Sequence, residues 1–482
     1  MDKLIETTLS AGLDPHARTP LQEQLHERLR TAILAATLPA STRLPASRQL
    51  ATLLGISRNT VLAAYEQLIA EGYLETKRGA GTFISPDLPD AFTSVLPHGP
   101  SIKLSLPQSI NSHEEIQSDY SLLSGAPAFD QFPKKIWARL TSRAWRTAGK
   151  EILQHDDLAG YIPLRTALAK YLQASRNIVA SPDQILIFSG LQQGFKLTAE
   201  CLLDATSAVI LENPGYGGMF QAAQTLQQKT LFIPVDRQGA TVPKTTDRTI
   251  LVISPSRQYP LGITMPLSRR LELLEWAADT DSLILEDDYD SEFRYSGKPL
   301  NSLQGIDGGE RVIYGGSFSK TVFPALRLGY LVLPKQYVGR VLAHRAAADS
   351  YPSIVPQIAL AEFMGSGHFA KHIRKLRKVH IRRQRLFTES FEAHLGHLFT
   401  LDASDAGLHI IAQPKKPLRR LEDHKLAAIA KSVSIGAAPL SASYRSGVTA
   451  KQGLLIGFAN LEDTLIDPAL KKFSIALQEE IG

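Results

Sequence analysis

Tyr314-Gly315-Gly316-Ser317-Phe318-Ser319-Lys320 is the stretch on which the reading of this chain turns. It overlaps an apolar run over 311–315 with the length and composition of a buried strand. Lys320 therefore stands just beyond a rigid element. An amine that condenses with an aldehyde must be held close and must lose its proton readily, and such a position supplies both. Ser317 and Ser319 beside it, and Arg327 seven residues on, suit a phosphate. Arginine offers a fork of donors there, where lysine offers a point charge.

Upstream, Ser189-Gly190-Leu191-Gln192-Gln193 lies between a strand-like run (184–189) and a helical pattern (191–203). Backbone N–H groups there can cradle the same phosphate at the positive end of that helix. The run 282–286 ends in Asp287-Asp288-Tyr289-Asp290. A carboxylate set against a pyridine nitrogen keeps it protonated and makes the ring an electron sink. By itself an acidic cluster such as Glu286, Asp287, Asp288 and Asp290 more often means a metal site or a solvated loop. Tyr216, in Asn213-Pro214-Gly215-Tyr216, follows a third apolar run and can stack on an aromatic ring. Runs at 184–189, 208–211, 249–253, 282–286, 311–315 and 329–333 alternate with helical patterns such as 217–228 and 266–280. That alternation predicts an α/β domain with a mostly parallel sheet covered on both faces. The candidate residues fall where its strands end, which is where open sheets bind ligands.

The N-terminal part has another grammar. Leu21, Leu25, Leu29, Ile33 and Leu34 recur at helical spacing, and Ser47 is a plausible cap for a short helix over 47–54. Gly55-Ile56-Ser57 breaks the chain before a further helix over 58–70, which places Val61, Leu62, Tyr65, Leu68 and Ile69 on one face. Two strand-like pieces joined by Lys77-Arg78-Gly79-Ala80 follow as a hairpin. Helix, tight turn, helix and wing make a DNA-reading module. Arg58 can pair with guanine and Asn59 with adenine. Ser57, Thr60 and Tyr65 are expected at phosphates, and Arg48 and Arg78 on either side of the groove. Gly79 lets the wing backbone approach closely. Prolines 86, 89, 97, 100 and 107 then interrupt every period, so 86–115 reads as a linker.

Composition (44% hydrophobic, 21% charged over 482 residues) is that of a globular chain of two or three domains. No apolar run reaches the roughly 18 residues of a membrane span. The opening Met1-Asp2-Lys3-Leu4-Ile5-Glu6 lacks a signal peptide's apolar stretch, so the cytoplasm is the expected compartment and no membrane partner is expected. The single Cys201 excludes an internal disulfide framework and any cysteine-built zinc site, and reads as a buried, inert thiol. The net charge of +6 does not mark a DNA binder, because charge is nearly balanced over 1–85. The densest basic run, Lys371 to Arg385, reads as a solvated helix face or as a secondary phosphate-binding surface.

Residues 20–84 resemble a GntR-type winged helix through Arg43-Leu44-Pro45-Ala46-Ser47-Arg48, Gly55-Ile56-Ser57-Arg58-Asn59-Thr60, Glu71-Gly72-Tyr73-Leu74 and Gly79-Ala80-Gly81-Thr82-Phe83. The remainder resembles a fold-type I aminotransferase. Over nearly its whole length the chain is similar to the MocR-type subfamily of GntR regulators, supported also by Gly125-Ala126-Pro127-Ala128-Phe129-Asp130, Ala159-Gly160-Tyr161-Ile162-Pro163-Leu164-Arg165 and Leu326-Arg327-Leu328-Gly329-Tyr330. The resemblance implies a winged helix-turn-helix over 15–85, a linker over 86–115, and an aminotransferase-like effector and dimerisation domain over 116–482 holding pyridoxal 5'-phosphate (PLP). In it Lys320 matches the lysine that binds PLP as an imine, Asp287 the partner of the ring nitrogen, Tyr289 that of the ring hydroxyl, and Tyr216 the stacking residue. Gly190, Leu191, Gln192, Ser317, Ser319 and Arg327 match the phosphate cup. Arg48, Ser57, Arg58, Asn59, Thr60, Arg78 and Gly79 match DNA-contacting positions. The implied protein is a homodimer with exchanged winged helices that binds a double-stranded operator and responds to PLP or to an amino compound.

The chain also departs from the pattern. Arg257 stands where the family usually has histidine, His155 where relatives often have a tyrosine, and Tyr259 where aminotransferases have asparagine. Gly453-Leu454-Leu455-Ile456-Gly457-Phe458 is apolar where aminotransferases carry a carboxylate-clamping arginine, and Arg445 is the nearest substitute for effector binding. These differences argue for at most partial transaminase chemistry. The alternative is an active PLP-dependent aminotransferase with an accessory winged helix.

Overall fold

The computed structural model describes residues 13–15, 17, 19–35, 37–77, 79–88, 121–154, 157–295, 301–402, 405–416, 418–445 and 447–481. Arg78, His155 and most of the expected linker lie outside the described residues. The chain divides into two compact units, Met1–Glu114 and Glu115–Gly482.

The first unit carries helices α1 (Leu21–Leu34), α2 (Ser47–Leu54) and α3 (Arg58–Ala70), followed by strands β1 (Leu74–Lys77) and β2 (Gly81–Ile84). Gly55 at φ +64° ends α2 in the left-handed region, which gives the sharp turn into α3. Ser57 caps α3 by accepting the Thr60 amide at 3.1 Å. Leu25, Leu29, Ile33, Leu50, Val61, Leu68 and Ile84 close one core between helices and hairpin. β1 and β2 pair antiparallel from Leu74↔Ile84 to Lys77↔Gly81, forming the wing.

In the second unit, the main sheet runs β3 (Ile185–Phe188), β10 (Gly329–Val332), β9 (Val312–Ser317), β8 (Leu283–Asp288), β7 (Thr249–Ile253), β4 (Ala208–Asn213), β5 (Lys229–Asp236), β6 (Gly239–Ala240) among the described residues. The chain from β5 to β9 through β4, β7 and β8 is parallel, while β10 runs antiparallel to both its neighbours and β6 to β5. Strands β3, β4, β7, β8 and β10 are buried along their whole length, as strands covered on both faces must be. A second, antiparallel sheet follows near the C-terminus in the order β11 (Phe399–Leu401), β12 (His409–Pro414), β14 (Leu454–Gly457), β13 (Ala438–Pro439). It shares a core with the helices His368–Leu395 and Asp463–Ile481 through Phe387, Phe391, Phe399, Phe458 and Phe473.

In the helix His368–Leu395, Ile373, Leu376 and Val379 are buried, whereas Lys371, Arg374, Lys375, Lys378 and Ile381 face solvent. Cys201 is half-buried rather than buried, and burial pushes its thiol up. No helix among the described residues is long and apolar enough to cross a membrane.

Candidate functional site

The parallel strands deliver their chemistry at one end. β8 ends in Asp287 and Asp288, and β9 in Gly315, Gly316 and Ser317, which lead to Lys320. Burial holds the Lys320 amine below the usual lysine range, against the pull of the Asp290 and Asp287 carboxylates. A Cβ built on Gly125 (φ +73°) would stand 3.0 Å from its Nζ, so this glycine leaves the amine its room.

The two aspartates ending β8 differ sharply. Asp288 Oδ2 accepts Arg176 Nε at 2.8 Å and the Tyr314 hydroxyl at 2.6 Å. Burial would raise it, but Arg176 and these hydrogen bonds hold it below the usual carboxylate range. Asp287 is equally buried, yet its Oδ1 has no hydrogen-bond partner. Burial first, then Asp288 and Asp290, push Asp287 up to about 7. A buried, unbonded carboxylate oxygen has the chemistry of a site for a protonated ring nitrogen. Glu286 is spent on the Leu303 and Gln304 amides, at 3.0 Å each, and Asp290 lies 3.4 Å from Arg257. The four acids do not converge, and no metal-binding group of three or more such side chains occurs among the described residues.

Tyr216, Tyr259 and Tyr289 form an edge-to-face series with centroids 5.6 and 5.9 Å apart. Tyr289 Oη accepts Arg257 Nη1 at 3.1 Å. Gly190 (φ +105°) precedes the helix Leu191–Leu202, and no side chain caps the open N–H groups there. Arg327, itself at φ +51°, spans to Ser189 by donating Nη2 to its carbonyl at 3.1 Å, and lies against Gly190. The Ser317 hydroxyl donates to Ser319 Oγ at 3.0 Å. These groups fit PLP: an unpaired carboxylate oxygen for the ring nitrogen, an amine with space around it, and an uncapped helix end for the phosphate.

Beside Tyr216 opens a narrow cleft lined by Glu212, Phe220, Asp287 and Arg445 among others. Arg445 Cζ stacks 4.3 Å over the Phe220 ring, Nη1 donates to the Ala442 and Tyr444 carbonyls, and buried Nε has no hydrogen-bond partner. Glu212 was not singled out from the sequence, although a charged residue directly after the apolar run 208–211 and before Asn213 was a signal. Burial pushes it up to about 8, and its Oε1 has no hydrogen-bond partner. Leu455, on β14, is packed with Ile411, Leu440, Tyr259 and Tyr444.

On the first unit, Arg48, Ser57, Arg58, Asn59 and Gly79 are exposed and Thr60 is half-buried. Arg58 Nε donates to Ser47 Oγ at 3.4 Å, which lays the side chain across the start of α2. Tyr65 overturns its expected role. It is 4% exposed and donates its hydroxyl to the Pro45 carbonyl at 3.0 Å, so it braces the module from within and does not reach a phosphate.

Comparison with known proteins agrees with this division. Residues 21–84 match the model of bacterial regulatory proteins of the gntR family, and residues 120–427 that of aminotransferase class I and II, a PLP-dependent fold family. The chain is 36% identical over 458 residues (93% of this chain, 92% of the relative) to a probable rhizopine catabolism regulatory protein, MocR, of Rhizobium meliloti. It is 33% identical over 467 residues (95% and 96%) to the HTH-type pyridoxine biosynthesis transcriptional regulator PdxR of Corynebacterium glutamicum. Among solved structures, Pyrococcus horikoshii kynurenine aminotransferase superposes with a TM-score of 0.67 at 25% identity, covering 80% of this chain and 97% of that one. The chain thus belongs to the gntR family of bacterial regulatory proteins, in its MocR-type group, which joins a winged helix-turn-helix to an aminotransferase class I and II domain.

Proposed function

We propose that this protein is a cytoplasmic, DNA-binding transcription regulator that senses PLP, or an amino compound condensing with it, at Lys320. The observation that carries the proposal is the contrast at the end of β8: Asp288 is fully engaged, while Asp287 keeps a buried oxygen unbonded near a lysine of lowered basicity. A fold with no ligand to place there would leave that cost uncompensated. PLP, when bound, supplies an aldehyde for primary amines and an electron-withdrawing ring. Lys320 supplies the amine, Asp287 holds the ring-nitrogen proton, Tyr289 faces the ring hydroxyl and Tyr216 covers the ring. Gly190, Leu191, Gln192, Ser317, Ser319 and Arg327 take the phosphate. Arg445, at the cleft beside Tyr216, is the candidate contact for a carboxylate on the effector.

Arg58 and Asn59 at the start of α3 read bases, and Arg48, Ser57, Thr60, Arg78 and Gly79 position the module on the backbone. Two chains pair, exchanging winged helices, so that two half-sites of an operator are read together. An effector acts through its different affinity for two arrangements of the dimer. The apolar packing around Leu455 supports sensing over turnover, because no guanidinium stands on that strand to hold a substrate carboxylate. The test is to incubate the protein with PLP, reduce with borohydride and weigh the peptide bearing Lys320. A mass gain confined to that lysine is expected, and its absence refutes the sensor.

A further inference from the structure

Arg257 follows β7, in the main sheet, yet its guanidinium reaches the antiparallel sheet. Nη1 donates to Tyr289 Oη at 3.1 Å and lies 3.4 Å from Asp290 Oδ2, while Nη2 donates to the carbonyl of His409, the first residue of β12, at 3.2 Å. The opposite wall is Gly407 at φ +82°, where a Cβ would lie 2.3 Å from Arg257 Cζ. A fork of donors laid flat against a glycine requires arginine: lysine has no plane to stack and only one nitrogen to share among these acceptors.

We infer that Arg257 is a positioning residue that couples the Tyr289 phenol to β12, so that loading of the Lys320 site is transmitted to the C-terminal sheet. This rests on the reading that the site holds PLP. Tyr289 Oη accepts from Arg257, which leaves its own proton to be donated, and the ring oxygen of PLP is the acceptor that the assignment above puts opposite it. A hydroxyl that donates more strongly also accepts more strongly. Filling the site therefore tightens the Arg257–Tyr289 bond and, through the rigid guanidinium plane, fixes the His409 carbonyl. A buried ion pair such as Arg257–Asp290 contributes little net stability, which leaves orientation as the use of this geometry.

The test is hydrogen exchange of the amides in 407–412, with and without PLP, on the full chain and on Arg257→Lys and Tyr289→Phe. Tyr289→Phe removes one oxygen and spares the packing, so it tests the coupling even if Arg257→Lys folds poorly. In the unaltered protein PLP should slow exchange by roughly tenfold, within the ordinary range of coupling between sites. Compared at PLP concentrations that give equal mass gain at Lys320 after borohydride, each variant should lose that PLP-dependent difference. A residue that only held the fold would change exchange equally with and without PLP. If the unaltered protein shows no difference, or the variants keep it, the coupling is overturned. If the unaltered protein gains no mass at Lys320, the sensor reading fails first and takes this one with it.

Discussion

A methyl group on Gly125 would stand 3.0 Å from the Lys320 amine. Gly125→Ala therefore crowds the nitrogen that must react, and it strains a backbone at φ +73° by about 1–2 kcal/mol. The expected result is slower, weaker PLP loading, read as borohydride-trapped mass against time. Loading at the unaltered rate would mean that Gly125 leaves no needed room.

Tyr65 and Arg58 separate two kinds of contribution to DNA binding. Tyr65→Phe removes the hydrogen bond to Pro45 and should lower the stability of the first unit by about 1 kcal/mol, leaving operator preference intact. Arg58→Ala should leave stability alone, weaken operator binding by about 1–3 kcal/mol and relax specificity at one base pair. Thermal melts and competition shift assays on the two variants check both halves.

Four buried carboxyls make the protein without PLP less stable as pH rises, against three buried histidines, His372, His380 and His409, whose imidazoles burial pushes down. Glu212 is pushed up to about 8 and Glu286, Asp287 and Asp290 to about 7, in each case chiefly by burial. Each binds its proton more tightly folded than unfolded, where carboxyls titrate near pH 4. Their contribution is thus fully present below about pH 4 and is lost as pH rises through 7 to 8. Stability should fall between pH 6 and 8, and Asp287→Asn should make that fall shallower by about 1–3 kcal/mol. Denaturant melts across that range check it, and an unchanged slope in the variant would contradict it.

Arg445→Ala tests the cleft beside Tyr216. PLP loading should persist, because Arg445 is not among the groups assigned to PLP, while any change in operator affinity caused by an amino acid should weaken by about 5- to 150-fold. A response of unaltered size would remove Arg445 from effector binding.

Much of this was legible in the sequence. The six apolar runs became strands of the main sheet because a strand buried on both faces must be apolar throughout. β5 escaped because its residues mix exposed, half-buried and buried positions and so lack that signature. β11 and β12 were also missed, since an antiparallel sheet near the C-terminus announces itself by no parallel-sheet rhythm. Tyr65 was given two roles at once: it shares a helix face with Val61 and Leu68, and that face is the core. Asp287 and Asp288 are indistinguishable by composition or spacing. Only the fold brings Arg176, from 112 residues upstream, onto one of them and not the other.

Operator affinity measured with and without PLP, on the unaltered protein and on Lys320→Ala, tests the central claim most directly. The account predicts that PLP shifts the operator affinity of the unaltered protein by about 5- to 150-fold and leaves Lys320→Ala unmoved. Equal shifts in both proteins, or none in either, would contradict it.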